Sequence, residues 1–440
     1  MRVNTSNDFR SVGRLRFRAD DPSLTPYGGL AIVGELARRT RLVELVDAEL
    51  AAVRGVGAVK ARRRGLSPGA LVVSLGECQI AGAECFDDIE NVRADTAGAA
   101  LRADTATPSA RPHANSRCVT GLRAIEGAVA RVGERVDRQL GRDPGDQVTF
   151  DLDATETEVY GRGARRRGAA RSHSGALTYQ AYVVSWAERG RAMTSELMGG
   201  SRARITARES ARMIARAKSL LPAGHRQLTA RFDSGFYSAE LMIALRDQHT
   251  RFSMSAPRTS SMWSALASIP EENWVQATEM RGAEVAEIAF TPHGWELEAL
   301  RLIVCRVSVS AQEIHRGSPR ARRRSTIPAD QLQMVLDGQL DSTYAYSFSV
   351  TDIPTEQKNT IEVEYFHRQR AQIEERFKDA KLGQPLRHLP SGDINSNRVW
   401  LTASLIALNI TAILCDLSPA AAASGQAPND TPLRRHAKAL

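Results

Sequence analysis

Apolar residues recur at helical spacing through "GGLAIVGELARRTRLVELVDAELAAV" and again through "GALVVSLGECQIAGAECFDDIENV", which predicts a helical region up to about residue 145. Between them "KARRRGLSPG" reads as a basic loop followed by a helix start at Ser67-Pro68, because Ser offers a capping oxygen and Pro fits the first turn. The stretch "TATPSARPHANS" then breaks the helical pattern. From residue 146 the texture changes. "QVTFDLDATETEVYG", "LTYQAYVVSW" and "RAMTSELMGG" predict strands separated by turns. Helical spacing returns in "ARESARMIARAKSLLPAG", and "QLTARFDSGFYS" predicts a strand running into a turn. Three strands, a helix and a strand suit an α/β domain whose sheet mixes antiparallel hairpins with a crossover connection.

Residues 256–345 are irregular and β-leaning, with "RLIVCRVSVS" the clearest strand and "HRGSPRARRRS" a basic loop, and they read as an insertion inside the α/β domain. "AYSFSVTDI" predicts a further strand, followed by a helix over "HRQRAQIEERFKDAK", residues 367–381. The apolar "VWLTASLIALNITAIL" is short and interrupted by Thr, Ser and Asn, so it is expected to be a buried helix rather than a membrane span. Small and polar residues after 416 predict a disordered tail. The expected organisation is a helical region over 1–145, an α/β core in two parts, 146–255 and 346–415, a β-rich insertion over 256–345, and a tail over 416–440. No internal repeat is present in the sequence.

Composition narrows the class. At 440 residues, two or three domains with a sizeable core are expected, and 42% hydrophobic residues is the content of a folded soluble protein. Lys and Arg outnumber Asp and Glu by 59 to 50, and the sequence pI of about 9.6 favours a polyanionic partner such as nucleic acid or an anionic membrane surface. The five cysteines are scattered and lack any C-x-x-C pair, which argues against a disulfide framework or a structural zinc site and fits a reducing cytoplasm. The first thirty residues hold no apolar core of signal-peptide length.

Three segments carry acidic residues with candidate chemistry. "TFDLDAT" places Asp151 and Asp153 two apart on a predicted strand, so both project from one face. Burying such a pair is costly without a cation, although an edge strand with a solvated acidic face would also carry it. Asp233 ends the apolar strand of "LTARFDSGFYS", a position typical of sites in α/β folds and equally of a turn or helix cap. In the helix predicted over 367–381, His367, Arg370, Glu374, Lys378 and Lys381 fall on one face. Ile373, Phe377 and Ala380 form the adjacent apolar stripe, which can pack on a sheet and hold Glu374 at its edge. Ordinary i,i+4 ion pairs on a surface helix give the same charge pattern. If the three segments converge, three carboxylates suit hard divalent cations, and the neighbouring cations suit the phosphates of a strand being cut.

The residues "DLDATETEVYG", "RFDSGFYS", "HRQRAQIEERFKDAK" and "LRHLPSG", in this order and spacing, resemble the DDE transposases of bacterial insertion sequences, in particular the insertion-sequence-1380 group of the insertion-sequence-4 superfamily. The likeness runs from about residue 25 to 415. Carried over motif by motif, it implies Asp153, Asp233 and Glu374 as the catalytic trio. Arg370, Glu374 and Lys381 fit the arginine, glutamate and lysine of the superfamily's signature. The signature's tyrosine has no clean counterpart, since His367 stands in its place and Tyr365 lies two residues earlier. The 141 positions from Asp233 to Glu374 (374 minus 233) resemble the β insertion such transposases place there.

The resemblance implies a ribonuclease-H-like core interrupted by that insertion, with a helical N-terminal DNA-binding region. It implies two Mg²⁺ or Mn²⁺ ions on Asp153, Asp233 and Glu374, with Asp151 either a further ligand or a partner behind them. It further implies cleavage at terminal inverted repeats, transfer of the freed 3′ hydroxyl to target DNA, and a homodimer on paired double-stranded ends in the bacterial cytoplasm, with no membrane partner. Arg62, Arg63 and Arg64, with His367, Arg368, Arg370, Lys378 and Lys381, are the expected DNA contacts; any of these basic runs can also be simply solvated. Two other readings stay open: a non-catalytic DNA-binding protein derived from a transposase, and a metal-dependent nuclease that cuts without strand transfer.

Overall fold

A computed structural model describes residues 10–12, 15–17, 21, 23–52, 65–102, 118–143, 145, 147–159, 169–171, 175, 177–198, 205–225, 227–292, 300–316, 324–371, 389–391 and 393–418. In chain order, a short hairpin of β1 (Arg10–Val12) and β2 (Leu15–Phe17) precedes helices α1 (Leu30–Thr40), α2 (Leu42–Ala52), α3 (Pro68–Ile80), α4 (Ile89–Ala94) and α5 (Cys118–Gln139). Strands β3 (Gln147–Glu158), β4 (Ala170–Arg171), β5 (Leu177–Trp186) and β6 (Arg191–Met198) follow. Then come α6 (Ala207–Ser219), β7 (Gln227–Phe232), α7 (Ala239–Asp247), β8 (Arg251–Ser255) and α8 (Ser260–Ala267). The remainder is β9 (Val275–Gln276), β10 (Ala283–Phe290), β11 (Leu300–Ser310), α9 (Ala311–Arg316), α10 (Ala329–Leu336), β12 (Ser342–Thr351), α11 (Thr360–Arg368) and α12 (Ile394–Asp416).

The chain forms two compact units. The first comprises residues 1–135, 158–167 and 380–414, and its described elements are mainly helices, preceded by the β1–β2 hairpin. Its α3 starts where Ser67 accepts a hydrogen bond from the Ala70 amide with Pro68 in the first turn, as the sequence predicts. The apolar stretch near the C-terminus is a helix, α12. It is long and apolar enough to cross a membrane, but most of it is buried inside the structure. Gln79 of α3 donates to the Trp400 carbonyl of α12, and Phe86 packs edge-on against Trp400. The two helices approach closely at Gly76, where a Cβ would come within 3.1 Å of the Ala403 carbonyl oxygen.

The second unit comprises 136–157, 168–379 and 415–440 and is built on one ten-stranded mixed sheet. Strand β3 lies between β5 and β7, and β6 pairs with β5 in an antiparallel hairpin. On the other side β3, β7 and β8 run parallel, with α6 and α7 as the connections. Both connecting helices start on sequence-coded caps: a reciprocal capping box of Thr206 with Glu209 for α6, and Ser238 accepting from Leu241 for α7. The block read as an insertion supplies β9, β10, β11 and the first four residues of β12, and these strands extend the same sheet antiparallel beyond β8.

The two faces of this sheet differ in chemistry. Phe150, Leu152, Phe232, Phe252, Met254 and Val350 form one core with Met213, Ile214, Leu241 and Leu245 of α6 and α7, all essentially inaccessible to solvent. Burying each such side chain contributes about 1.5–3 kcal/mol. The alternate positions, which point to the opposite face, are polar in the central strands: Asp151, Arg231, Ser253 and Thr351 are in register across β3, β7, β8 and β12. Helix α11, opened by a capping box of Asn359 with Glu362, contacts β8, β10 and β11. At the start of β6, Arg191 makes a bidentate pair with Asp137 and a further bond to Asp416.

Candidate active site at the ends of two parallel strands

Strand β3 carries an aspartate at alternate positions, so Asp151 and Asp153 share the polar face, and both are buried. Their environments differ. Asp151 lies opposite Arg231 of β7, whose Nε and Nη2 donate to its two carboxylate oxygens at 2.6 and 2.7 Å. Both groups are about 4% exposed, so this is a buried bidentate ion pair. With both oxygens taken, Asp151 is a structural partner of Arg231 in this arrangement, and the expectation that it adds a metal ligand gains no support.

Asp153 lies one residue beyond the last registered pair of β3 with β7, Leu152 with Phe232. The residue after β7 is Asp233, still extended in backbone, so the two aspartates continue the register at the ends of adjacent parallel strands, roughly 5 Å apart at the backbone. Asp153 Oδ1 accepts a hydrogen bond from the Ala154 amide at 2.8 Å. Half-buried Asp233 ends its strand and accepts from the Gly235 amide at 2.8 Å, which folds the Ser-Gly turn back beneath it. Asp233 therefore stands at a strand end and also forms the turn that follows. The carboxyl ends of parallel strands are where α/β sheets place their ligands.

A cation stands beside the pair. Arg370 Nη1 is 3.8 Å from Asp153 Oδ2, with the arginine side chain 12% exposed. Arg370 lies just past α11, which ends at Arg368 and not, as the spacing of 367–381 predicts, begins at His367. The sequence signal for that earlier start is the Asn359/Glu362 box.

His367 therefore sits in the last turn of α11, against the sheet. Its Nδ1 and Nε2 are 2.8 and 2.9 Å from the hydroxyls of Ser253 and Ser255. Burial, with Arg370 and Arg231 nearby, pushes its pKa down to about 3, so the ring is neutral, with one nitrogen donating and the other accepting. The expected phosphate contact at His367 gains no support from this arrangement, in which a neutral imidazole is engaged by two serines. Arg368 is held by Glu364, with Nε at 2.9 Å from a carboxylate oxygen, and donates to the Thr278 carbonyl. It too is engaged within the fold. Glu374, Lys378, Lys381, Arg62, Arg63 and Arg64 lie outside the described residues.

Among the described residues no group of three or more His, Cys, Asp or Glu side chains is arranged to hold a metal ion. Asp153 and Asp233 nevertheless supply hard oxygen donors at neighbouring strand ends, a donor set suited to Mg²⁺ or Mn²⁺. Sequence reading passed over Arg231, Ser253 and Ser255. Arg231 had a signal: an arginine two residues before Asp233 repeats, on the adjacent strand, the spacing of Asp151 before Asp153.

Comparison with known proteins bears on this site. No curated protein matches the chain. Among solved structures, a cryo-EM piggyBac transposase synaptic complex with hairpin DNA aligns at 10% identity and a TM-score of 0.41, covering 87% of this chain and 74% of that one, a likeness too slight to carry weight. The family model described as "Transposase DDE domain group 1" matches residues 10–434, nearly the whole sequence and both strand-end aspartates with it. The chain belongs to the DDE transposase domain family.

Proposed function

We propose that the chain is the transposase of a bacterial insertion sequence of the insertion-sequence-1380 group, a metal-dependent enzyme that cuts DNA at the element's terminal inverted repeats and joins the freed 3′ hydroxyls to target DNA. The observation that carries this reading is the placement of Asp153 and Asp233 in continued register at the ends of adjacent parallel strands with Arg370 beside them. Together with Glu374, four residues after Arg370, they would hold two divalent cations. Bound there, such ions supply a nucleophile active at neutral pH and stabilise charge on the leaving oxygen. The protein's own groups do the rest. The amides of Ala154 and Gly235 fix the carboxylates of Asp153 and Asp233 in orientation. Arg370 is placed to meet a non-bridging phosphate oxygen next to Asp153, and no covalent protein intermediate is required.

In the same reading the helical region 1–145 recognises the element's ends, and residues 256–345 are the insertion of a ribonuclease-H-like core. Arg62, Arg63, Arg64, Lys378 and Lys381 contact the DNA backbone, and two copies act on paired ends in the cytoplasm. Incubating the protein with a labelled end-containing duplex, a target plasmid and Mg²⁺ or Mn²⁺ tests it. Products in which the labelled 3′ end is joined to the plasmid are expected. Cleavage without joining would favour a nuclease, and binding without cleavage a non-catalytic DNA-binding protein.

A further inference from the structure

The polar face beneath Asp153 and Asp233 holds a connection that the aspartates themselves do not explain. The Arg231 guanidinium grips Asp151 with two of its nitrogens and, with the third, Nη1, donates to the Phe366 carbonyl at 2.5 Å. Phe366 is in the last turn of α11, where helix carbonyls have no intrahelical donor. The Phe366 ring lies 4.9 Å from the same guanidinium. One residue on, His367 is tied to Ser253 and Ser255, and Ser253 is in register with Arg231. The last turn of α11 is thus fixed to β3, β7 and β8 by polar contacts of defined length.

What leaves that turn is the segment that matters. Arg370 lies four residues after Phe366 and 3.8 Å from Asp153, and Glu374 lies four residues further along the chain. We infer that Arg231 is a positioning residue: by capping the C-terminus of α11 while holding Asp151, it sets where the chain departs toward Arg370 relative to the Asp153–Asp233 pair. Only a planar guanidinium reaches a carboxylate with two nitrogens and a carbonyl with the third. A lysine at this position keeps the charge and loses the geometry. This inference rests on the transposase reading for its purpose, but not for its structural content.

The test compares Arg231→Lys with Leu245→Ala, which opens a cavity in the core on the opposite face of the sheet, in full-length protein under conditions where both variants are folded. Hydrogen exchange over residues 366–371 is read together with the Mn²⁺ concentration that half-saturates cleavage of an end-containing duplex. Arg231→Lys is expected to speed exchange in that segment at least tenfold and to lower the cleavage rate on saturating DNA by about a hundredfold, the size of effect of a misplacement near 1 Å. It is also expected to raise the half-saturating Mn²⁺ concentration. Leu245→Ala is expected to move neither exchange there nor the Mn²⁺ dependence. Unchanged exchange over 366–371 in Arg231→Lys, or an equal change in both variants, would overturn the positioning role. If the wild type cuts no DNA with any divalent ion, the transposase reading falls, while the exchange comparison still decides whether Arg231 holds the turn.

Discussion

Asp153 and Asp233 continue the register at the ends of adjacent parallel strands, each one residue past the registered pair of Leu152 with Phe232. Two carboxylates side by side repel unless a positive charge lies between or beside them, and Arg370 lies 3.8 Å from one of them. A further cation at the pair would lower that repulsion again. The outcomes expected below follow from this arrangement of two carboxylates and one cation and from the polar face on which it rests.

Removing one partner of the Asp151–Arg231 pair leaves a charge buried without its counterpart. Asp151→Ala is expected to cost about 3–5 kcal/mol, read from chemical denaturation midpoints. The double variant Asp151→Leu with Arg231→Met replaces both charges with apolar groups and is expected to regain most of that stability, while still losing the cap on α11. A double variant no more stable than Asp151→Ala would show that the pair is not the source of the loss.

His367 titrates near pH 3 in the folded chain and near its ordinary value of 6.5 when unfolded. Between those values the unfolded chain binds a proton that the folded chain refuses. Stability is therefore expected to fall as the pH drops below 6.5, with this contribution levelling off near pH 3. His367→Gln, which retains a donor and an acceptor, is expected to lower the acid-side slope by one proton. It is also expected to leave the salt dependence of DNA binding unchanged, because a neutral ring displaces no counterion.

Arg370→Ala is expected to cut the rate of DNA cleavage by about a hundredfold or more, the usual loss when one preorganised donor to a reacting group is removed. DNA affinity should change far less, with the slope of log affinity against log salt reduced by at most about 1. Equal losses in rate and affinity would make Arg370 an ordinary backbone contact.

The Asn359 side chain accepts from the Glu362 amide, and the Asn359 amide donates in turn to the Glu362 carboxylate. Asn359→Ala is expected to destabilise the fold by about 1 kcal/mol, measured by thermal or chemical unfolding. It should also reduce hydrogen-exchange protection in the first turn of α11 before it affects the last.

Much of this was legible in local pattern. The alternation around Asp151 and Asp153, the Ser67-Pro68 helix start and the buried character of the last apolar helix are short-range signals, and each appears where the sequence places it. The difference between Asp151 and Asp153 was not legible, because it depends on which residue of β7 comes into register with each, a long-range fact that spacing within β3 cannot carry. The same holds for His367. Its place on a helical wheel suggested a cation for phosphate, but the helix begins eight residues earlier, at Asn359's cap, and this turns the ring onto two serines of β8. Polar residues on a sheet face read as solvated until the element that covers them is known.

The most direct measurement is cleavage of an end-containing DNA duplex in Mg²⁺ or Mn²⁺ by the wild type, Asp153→Ala and Asp233→Ala, at protein concentrations where all three bind the DNA fully. Cleavage by the wild type alone is the expected result and would make the two strand-end aspartates the metal-holding centre. Equal cleavage by all three would contradict that assignment and move the chemistry elsewhere in the chain.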